Sequence, residues 1–177
     1  MDRVIRTAGR HSRAQMRGLL QAIFAAELVS PSSTFWLASP WISDIPVIDN
    51  RAGTFRLGDE WPMGHVKLSK VIATIAQRGG RVVVITTSDT KNNHFIGCLH
   101  DEIIRHGVVD RVRVVKDDKE HLHEKAMVGD DFVLEGSMNF TFFGLQVRRE
   151  FAEFSTNPAR VALARAGMQD DFGAVSS

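Results

Sequence analysis

The run Arg81-Val82-Val83-Val84-Ile85-Thr86-Thr87 restricts the folds open to this chain more than any other stretch. Its β-branched residues are continuous rather than alternating, as in a strand covered on both faces. A helix-period segment, Val66 to Gln77, precedes it and stops at Gly79-Gly80, where glycine can end a helix. The same order recurs: a helix from Asn93 to His106 ended by Gly107, then a strand from Arg111 to Val115. Alternating helices and buried strands predict an α/β fold, a mixed central sheet with helices on both faces.

Other elements fit that frame. Met16, Leu19, Leu20, Ile23 and Phe24 repeat at helical spacing, predicting a helix over Ser12–Ala26. Arg3, Arg6, Arg10, Arg13 and Arg17 flank that apolar face, as a solvated surface or as a phosphate-facing arm. Thr34 to Ala38 reads as a buried strand. Ser39 and Trp41 at its exit are candidate wall residues, because loops at strand ends line sites in open sheets; Trp41 is also a reasonable core residue. Asp49 to Gly64 is polar and long for a connection, which suits a flap or a dimer contact. Asn157-Pro158 is a helix cap followed by proline at the first helical position, opening a helix to about Met168. The residues after it are expected to fray.

Composition sets limits. A chain of 177 residues with 44% hydrophobic and 24% charged residues is one globular domain's worth, residues 1–177. The net charge of +1 does not mark a nucleic-acid binder, so any basic surface must be local. The one cysteine, Cys98, excludes an internal disulfide and fits a reducing cytoplasm; a small buried residue is its expected role. The N-terminal stretch lacks the apolar core of a secretory signal, and no apolar run reaches membrane-spanning length. A soluble cytoplasmic protein is expected.

The chemistry gathers between His121 and Asn139. Read as a strand, His121, His123 and Lys125 share one face. Gly129-Asp130-Asp131 signals a turn, Phe132-Val133-Leu134 can return as a paired strand, and Gly136-Ser137-Met138-Asn139 closes the hairpin in a small polar loop. An imidazole, an ammonium, a hydroxyl and a carboxamide then converge, and together they suit a phosphate group. A metal centre fits poorly. His121 and His123 have Asp117, Asp118, Asp130 and Asp131 nearby, but Lys125 in the same row repels a cation, and no third histidine or cysteine has ligand spacing.

His123-x-Lys125-x4-Asp130, followed by Gly136-Ser137-x-Asn139, resembles the HxKxxxxD…GSxN signature of the phospholipase D superfamily. Family members usually place six residues between the aspartate and the glycine. This chain has five, Asp131 to Glu135. The resemblance covers roughly residues 66–155 and includes the helix, Arg-Gly and strand succession before the motif. It implies a phospholipase D-like fold, with His123 as nucleophile and Lys125, Ser137 and Asn139 binding phosphate. Asp130 and Gly136 would support the motif. A carboxylate on a strand soon after GSxN, which Glu150 matches best and Glu153 next, would orient the histidine.

That chemistry needs two motifs. His65-Val-Lys67 repeats the first spelling, but it opens an expected helix and no Asp or GSxN follows. A homodimer is therefore implied, with the site on its two-fold axis. The resemblance points to a metal-independent phosphodiesterase without a cofactor, most often a nuclease acting on DNA or RNA through a phosphohistidine. The stretch Phe35 to Asp44 also resembles phospholipase D-like proteins of bacterial phage-defence clusters, which implies defence-complex partners. Two other readings stay open: a phospholipid phosphodiesterase, and a non-catalytic nucleic-acid-binding subunit of a larger complex.

Overall fold

The structure, a computed structural model, describes residues 2–6, 10–56, 61–117, 122–141, 144 and 150–173. Nine strands are described: β1 Asp2–Arg6, β2 Thr34–Ala38, β3 Pro46–Asp49, β4 His65–Lys67, β5 Arg81–Thr86, β6 Val112–Lys116, β7 Ala126–Val128, β8 Val133–Gly136 and β9 Phe151–Ser155. The α-helices are α1 Arg10–Val29, α2 Leu68–Gln77, α3 Asn93–Arg105 and α4 Pro158–Phe172. Seven strands form a mixed sheet in the order β1-β9-β8-β7-β2-β5-β6, and β3 pairs with β4 apart from it. The α/β expectation holds.

Side-chain alternation along the strands splits the interior in two. Phe35, Leu37, Val82, Val84, Met127 and Leu134 pack with residues of α1, α2 and α3 on one face. Trp36, Ala38, Val83, Ile85, Ala126, Val128 and Val133 pack with Val161 and Met168 of α4 on the other. β5 is thus buried on both sides, which is why its sequence is apolar without a break. Asn157 caps α4 by accepting from the N–H groups of Ala159 and Arg160, with Pro158 next to it.

Pairing gathers one end of each of the seven strands of the mixed sheet. β2, β5 and β6 are parallel, and β7 runs antiparallel to β2 with Ala38 opposite Ala126. Gly136 lies opposite Ala152 and Arg6 opposite Phe151. The exits of β1, β2, β5, β6 and β8 and the entries of β7 and β9 therefore share a single sheet edge. It is the edge that carries the motif.

Several elements differ from the sequence reading. β1 was not foreseen by periodicity, because only Ile5 of its five residues is buried and its partner β9 lies far along the chain. α1 is longer at both ends than Ser12–Ala26. His65-Val66-Lys67 is a strand, with only Val66 buried, and α2 starts at Leu68, whose N–H bonds to the Ile45 carbonyl at 2.9 Å. Pairing with β3 overrides the helical period there. Cys98 is half-buried, and burial followed by the nearby Asp44 carboxylate pushes its thiol pKa up.

Candidate active site

The motif hairpin is β7–β8. Gly129 N–H donates to the Phe132 carbonyl at 3.0 Å to close the turn, and the ladder pairs Val128 with Val133 and Ala126 with Glu135. A last bond, Gly136 N–H to the Lys125 carbonyl at 3.0 Å, ends the pairing at the sheet edge. His123 and Lys125 thus lie in the segment leading into β7, not on a strand as alternation alone suggests. Lys125 Nζ turns back and donates to the His123 carbonyl at 2.6 Å, fixing the ammonium beside the exposed His123. His121 lies outside the described residues, as do Asp118 of the metal alternative and most of the expected helix after Asn139.

Ser137 sits where β8 meets β9. Its N–H donates to the Phe151 carbonyl at 3.0 Å, its Oγ accepts from Phe151 N–H at 3.1 Å, and its hydroxyl donates to Glu150 Oε2. Glu150 immediately precedes β9 and is joined to the motif through Ser137. Glu153, the other carboxylate in view, is ion-paired to Arg160 of α4. Glu150 is the one the edge brings in.

Asn139 is buried, and its Oδ1 lies 3.3 Å from the Ser39 hydroxyl at the end of β2. Ser39 Oγ also accepts from Phe140 N–H at 3.3 Å and reaches the Trp41 carbonyl at 2.9 Å. The single Ser39 proton is thus shared between the Trp41 carbonyl and the Asn139 carboxamide oxygen, which ties the loop after β8 to the end of β2. The β2 exit is itself clamped: Asn92 accepts from Ile42 N–H at 2.8 Å and donates to the carbonyls of Pro40 and Thr87 at 3.0 and 2.9 Å. Trp41 is half-buried, with its indole N–H on Asp89 at 3.0 Å and the Lys91 ammonium 4.5 Å from its ring centre. The part of Ser39 was signalled only by its place at a strand end.

Asp130 stands apart. Four residues of the hairpin lie between it and Lys125, a span of roughly 15 Å at strand rise. Its carboxylate accepts from Ser33 N–H at 2.7 Å and Ser33 Oγ at 2.8 Å, and it pairs with Arg165 of α4. Its own N–H donates to Ser32 Oγ at 2.9 Å, and that hydroxyl donates to the buried Glu27 of α1 at 2.6 Å. The motif aspartate ties the hairpin turn to β2, α1 and α4 and touches no phosphate-site group.

Burial raises the Asp130 pKa, but the Ser33 hydrogen bonds and then Arg165 outweigh it and hold the carboxyl below its ordinary value. A depressed folded pKa adds stability that is complete above the unfolded pKa of about 3.9 and is lost as pH falls through the folded value. Asp130→Asn is expected to cost about 1–2 kcal/mol at neutral pH, modest because the carboxylate is 34% exposed. In urea titrations the difference from wild type should shrink as pH drops below about 4. A gap that persists unchanged to acid pH would mean that the Asp130 charge does not stabilise the turn.

Among the described residues, Lys125, Gly136, Met138, Phe140 and Ala152 border only a small gap of about 10 Å³. Larger cavities of about 630, 520 and 650 Å³ lie between α1 and β3, beside β4 and α3, and under α4. These three hollows lie away from the motif residues, which sit on the sheet edge. No group of three or more His, Cys, Asp or Glu among the described residues could hold a metal ion. No described helix is long and apolar enough to cross a membrane.

One edge of an α/β sheet thus carries an imidazole, an ammonium, a carboxamide and a hydroxyl–carboxylate pair. The family model described as "Cardiolipin synthase, PLD-like domain" matches residues 59–171, and the chain belongs to this phospholipase D-like family, part of a superfamily of phosphodiesterases and nucleases. Its fold is similar to NucT from Helicobacter pylori, with 15% identity, TM-score 0.63, and coverage of 96% of this chain and 94% of that one. It is also similar to Nuc from Salmonella typhimurium, a phospholipase D family member (15%, TM-score 0.62, 98% and 94%). The archaeal chromatin protein TrmBL2 is more distant, at 14% identity and TM-score 0.52, covering 97% of this chain and 52% of that one. No curated protein matches by sequence.

Proposed function

We propose that the chain is a metal-independent phosphodiesterase that cleaves nucleic acid through a phosphohistidine at a homodimer interface. The observation that carries the reading is the bonded edge itself. His123 and Lys125 lie on one side of the hairpin end, and Ser137, Asn139 and Glu150 on the other. The His123 imidazole attacks phosphorus, a P–N bond forms, and the bond to the leaving oxygen breaks. His123 of a second copy gives its proton to that oxygen, then takes one from water; the resulting hydroxide attacks phosphorus and the P–N bond breaks. Lys125 and Asn139 hold the non-bridging oxygens, and Glu150 acts on the imidazole through its orientation.

One copy has one such set, so the second histidine must come from a partner, and a two-fold axis at the edge supplies it. The resemblance to Nuc and NucT over nearly their whole lengths, and to TrmBL2, whose description includes DNA binding, supports a nucleic-acid substrate. A role in phage defence rests on the Phe35–Asp44 stretch. A phosphatidyl substrate is the second reading, favoured by the cardiolipin synthase description of the matching family model.

The deciding assay offers labelled single- and double-stranded DNA, RNA and phosphatidylglycerol vesicles to the protein in excess EDTA, with its mass followed by light scattering. A dimer that cleaves DNA or RNA is the expected result. Cleavage of the lipid alone favours the second reading, and a monomer that cleaves removes the shared site.

A further inference from the structure

We infer that Phe151 and Arg6 form a nucleotide subsite beside the phosphate site, one that takes an unpaired base. The inference rests on the nucleic-acid reading above and specifies its substrate as single-stranded. Phe151 is bonded to Ser137 at both backbone groups, by the 3.0 and 3.1 Å contacts that place the hydroxyl. Its backbone is therefore held beside the motif. Yet the side chain is 45% exposed, while its neighbour Ala152 is buried.

Register explains what stands next to it. Arg6 of β1 lies directly opposite Phe151, so the two side chains leave the sheet on the same face. Arg6 is exposed, and Val4, two residues back on that face, is 56% exposed. The helix on this face, α4, packs through Val161 and Met168 against the middle of the sheet. The β9–β1 corner therefore presents a flat aromatic ring and a guanidinium, one residue from Glu150, at the edge where the scissile phosphate would lie.

Flat rings beside cations are how proteins hold unpaired nucleotides: the base stacks on the aromatic face and the next phosphate meets the positive charge. A paired base cannot reach the ring without leaving its duplex. A second copy of the chain is the weaker occupant. Val4 and Phe151 are the only large exposed apolar side chains at this corner among the described residues, far less than the roughly 800 Å² per partner of a stable interface. Arg6 and Arg160 flank them with charge. An acyl chain needs a groove rather than an open ring.

The test compares wild type, Phe151→Leu, Phe151→Trp, Arg6→Gln and the surface control Leu163→Ala. Each is given a short single-stranded oligonucleotide, its abasic counterpart, its duplex and bis(p-nitrophenyl) phosphate, and kcat/KM is read for each. For Phe151→Leu, the ratio of oligonucleotide to bis(p-nitrophenyl) phosphate activity should fall roughly 5- to 100-fold, carried by KM. Phe151→Trp should restore it. The abasic strand and the duplex should gain little from the aromatic ring, and Arg6→Gln should weaken the salt dependence of binding.

Equal ratios in the leucine and tryptophan variants, with wild type still cleaving DNA or RNA, overturn the subsite alone. A leucine variant that loses its dimer by light scattering overturns it too, by giving the surface to a second copy. Failure of wild type to cleave any nucleic acid sinks the nuclease reading and the subsite with it.

Discussion

Replacing His123 by asparagine should lower cleavage by roughly 10³-fold or more while the protein stays folded. Asparagine keeps a polar group of similar reach but has no nitrogen that can attack phosphorus or accept a proton. Removing a nucleophile costs this much in enzymes whose residues act as a unit. The fold does not depend on the side chain, which is exposed and lies in the segment before β7. In a dimer with one shared site the variant loses both nucleophile and proton donor, so no half-activity should survive. Steady-state assays on saturating substrate read this directly. Retention of more than about a tenth of the rate would move the chemistry to another residue.

Gly136→Ala is the second large effect, and it is steric. A Cβ on Gly136 would lie 2.1 Å from the Phe151 carbonyl oxygen and 2.9 Å from Ala152 Cα, both backbone atoms that cannot swing aside. β8 must then move away from β9, and the first bond lost is Ser137 N–H to that same carbonyl, 3.0 Å long. Overpacking of this kind costs about 2–3 kcal/mol. Activity should fall further than stability explains, because Ser137 and Glu150 are placed by this contact. Chemical denaturation and kinetics on the same preparation separate the two losses. A variant as stable and active as wild type would mean the strands stand further apart than the pairing of Gly136 with Ala152 implies.

What sequence could show depended on how far apart the interacting residues lie. The β5 run and the helices around it were legible because their burial is written in local periodicity. The motif was legible because a hairpin keeps its functional groups within a few residues. Strands β1 and β4 were not, since each buries a single residue and forms on a partner elsewhere in the chain; β3 buries Val47 and Ile48 but is only four residues long. The same limit hid the setting of Asp130. Its spacing named it, but its partner Ser33 lies 97 residues away and Arg165 35 residues away. Only the folded chain separates a residue that braces the hairpin turn from those gathered at the edge.

Ser39 and Phe151 follow the same logic. A serine at a strand exit is unremarkable in sequence until Asn139 is brought within 3.3 Å of it. An exposed phenylalanine gains meaning only from the pairing that sets Arg6 opposite and Ser137 beside it. Short strands cross-linked at one edge thus bring scattered residues onto one surface.

A covalent histidine intermediate fixes the stereochemical course at phosphorus. Each in-line displacement inverts phosphorus, so attack by His123 followed by water gives net retention. The measurement is cleavage of a single-isomer phosphorothioate diester in isotopically labelled water and excess EDTA, with product configuration read by phosphorus NMR. Retention is expected. Inversion would mean that water attacks the diester in one step, and would contradict the covalent intermediate.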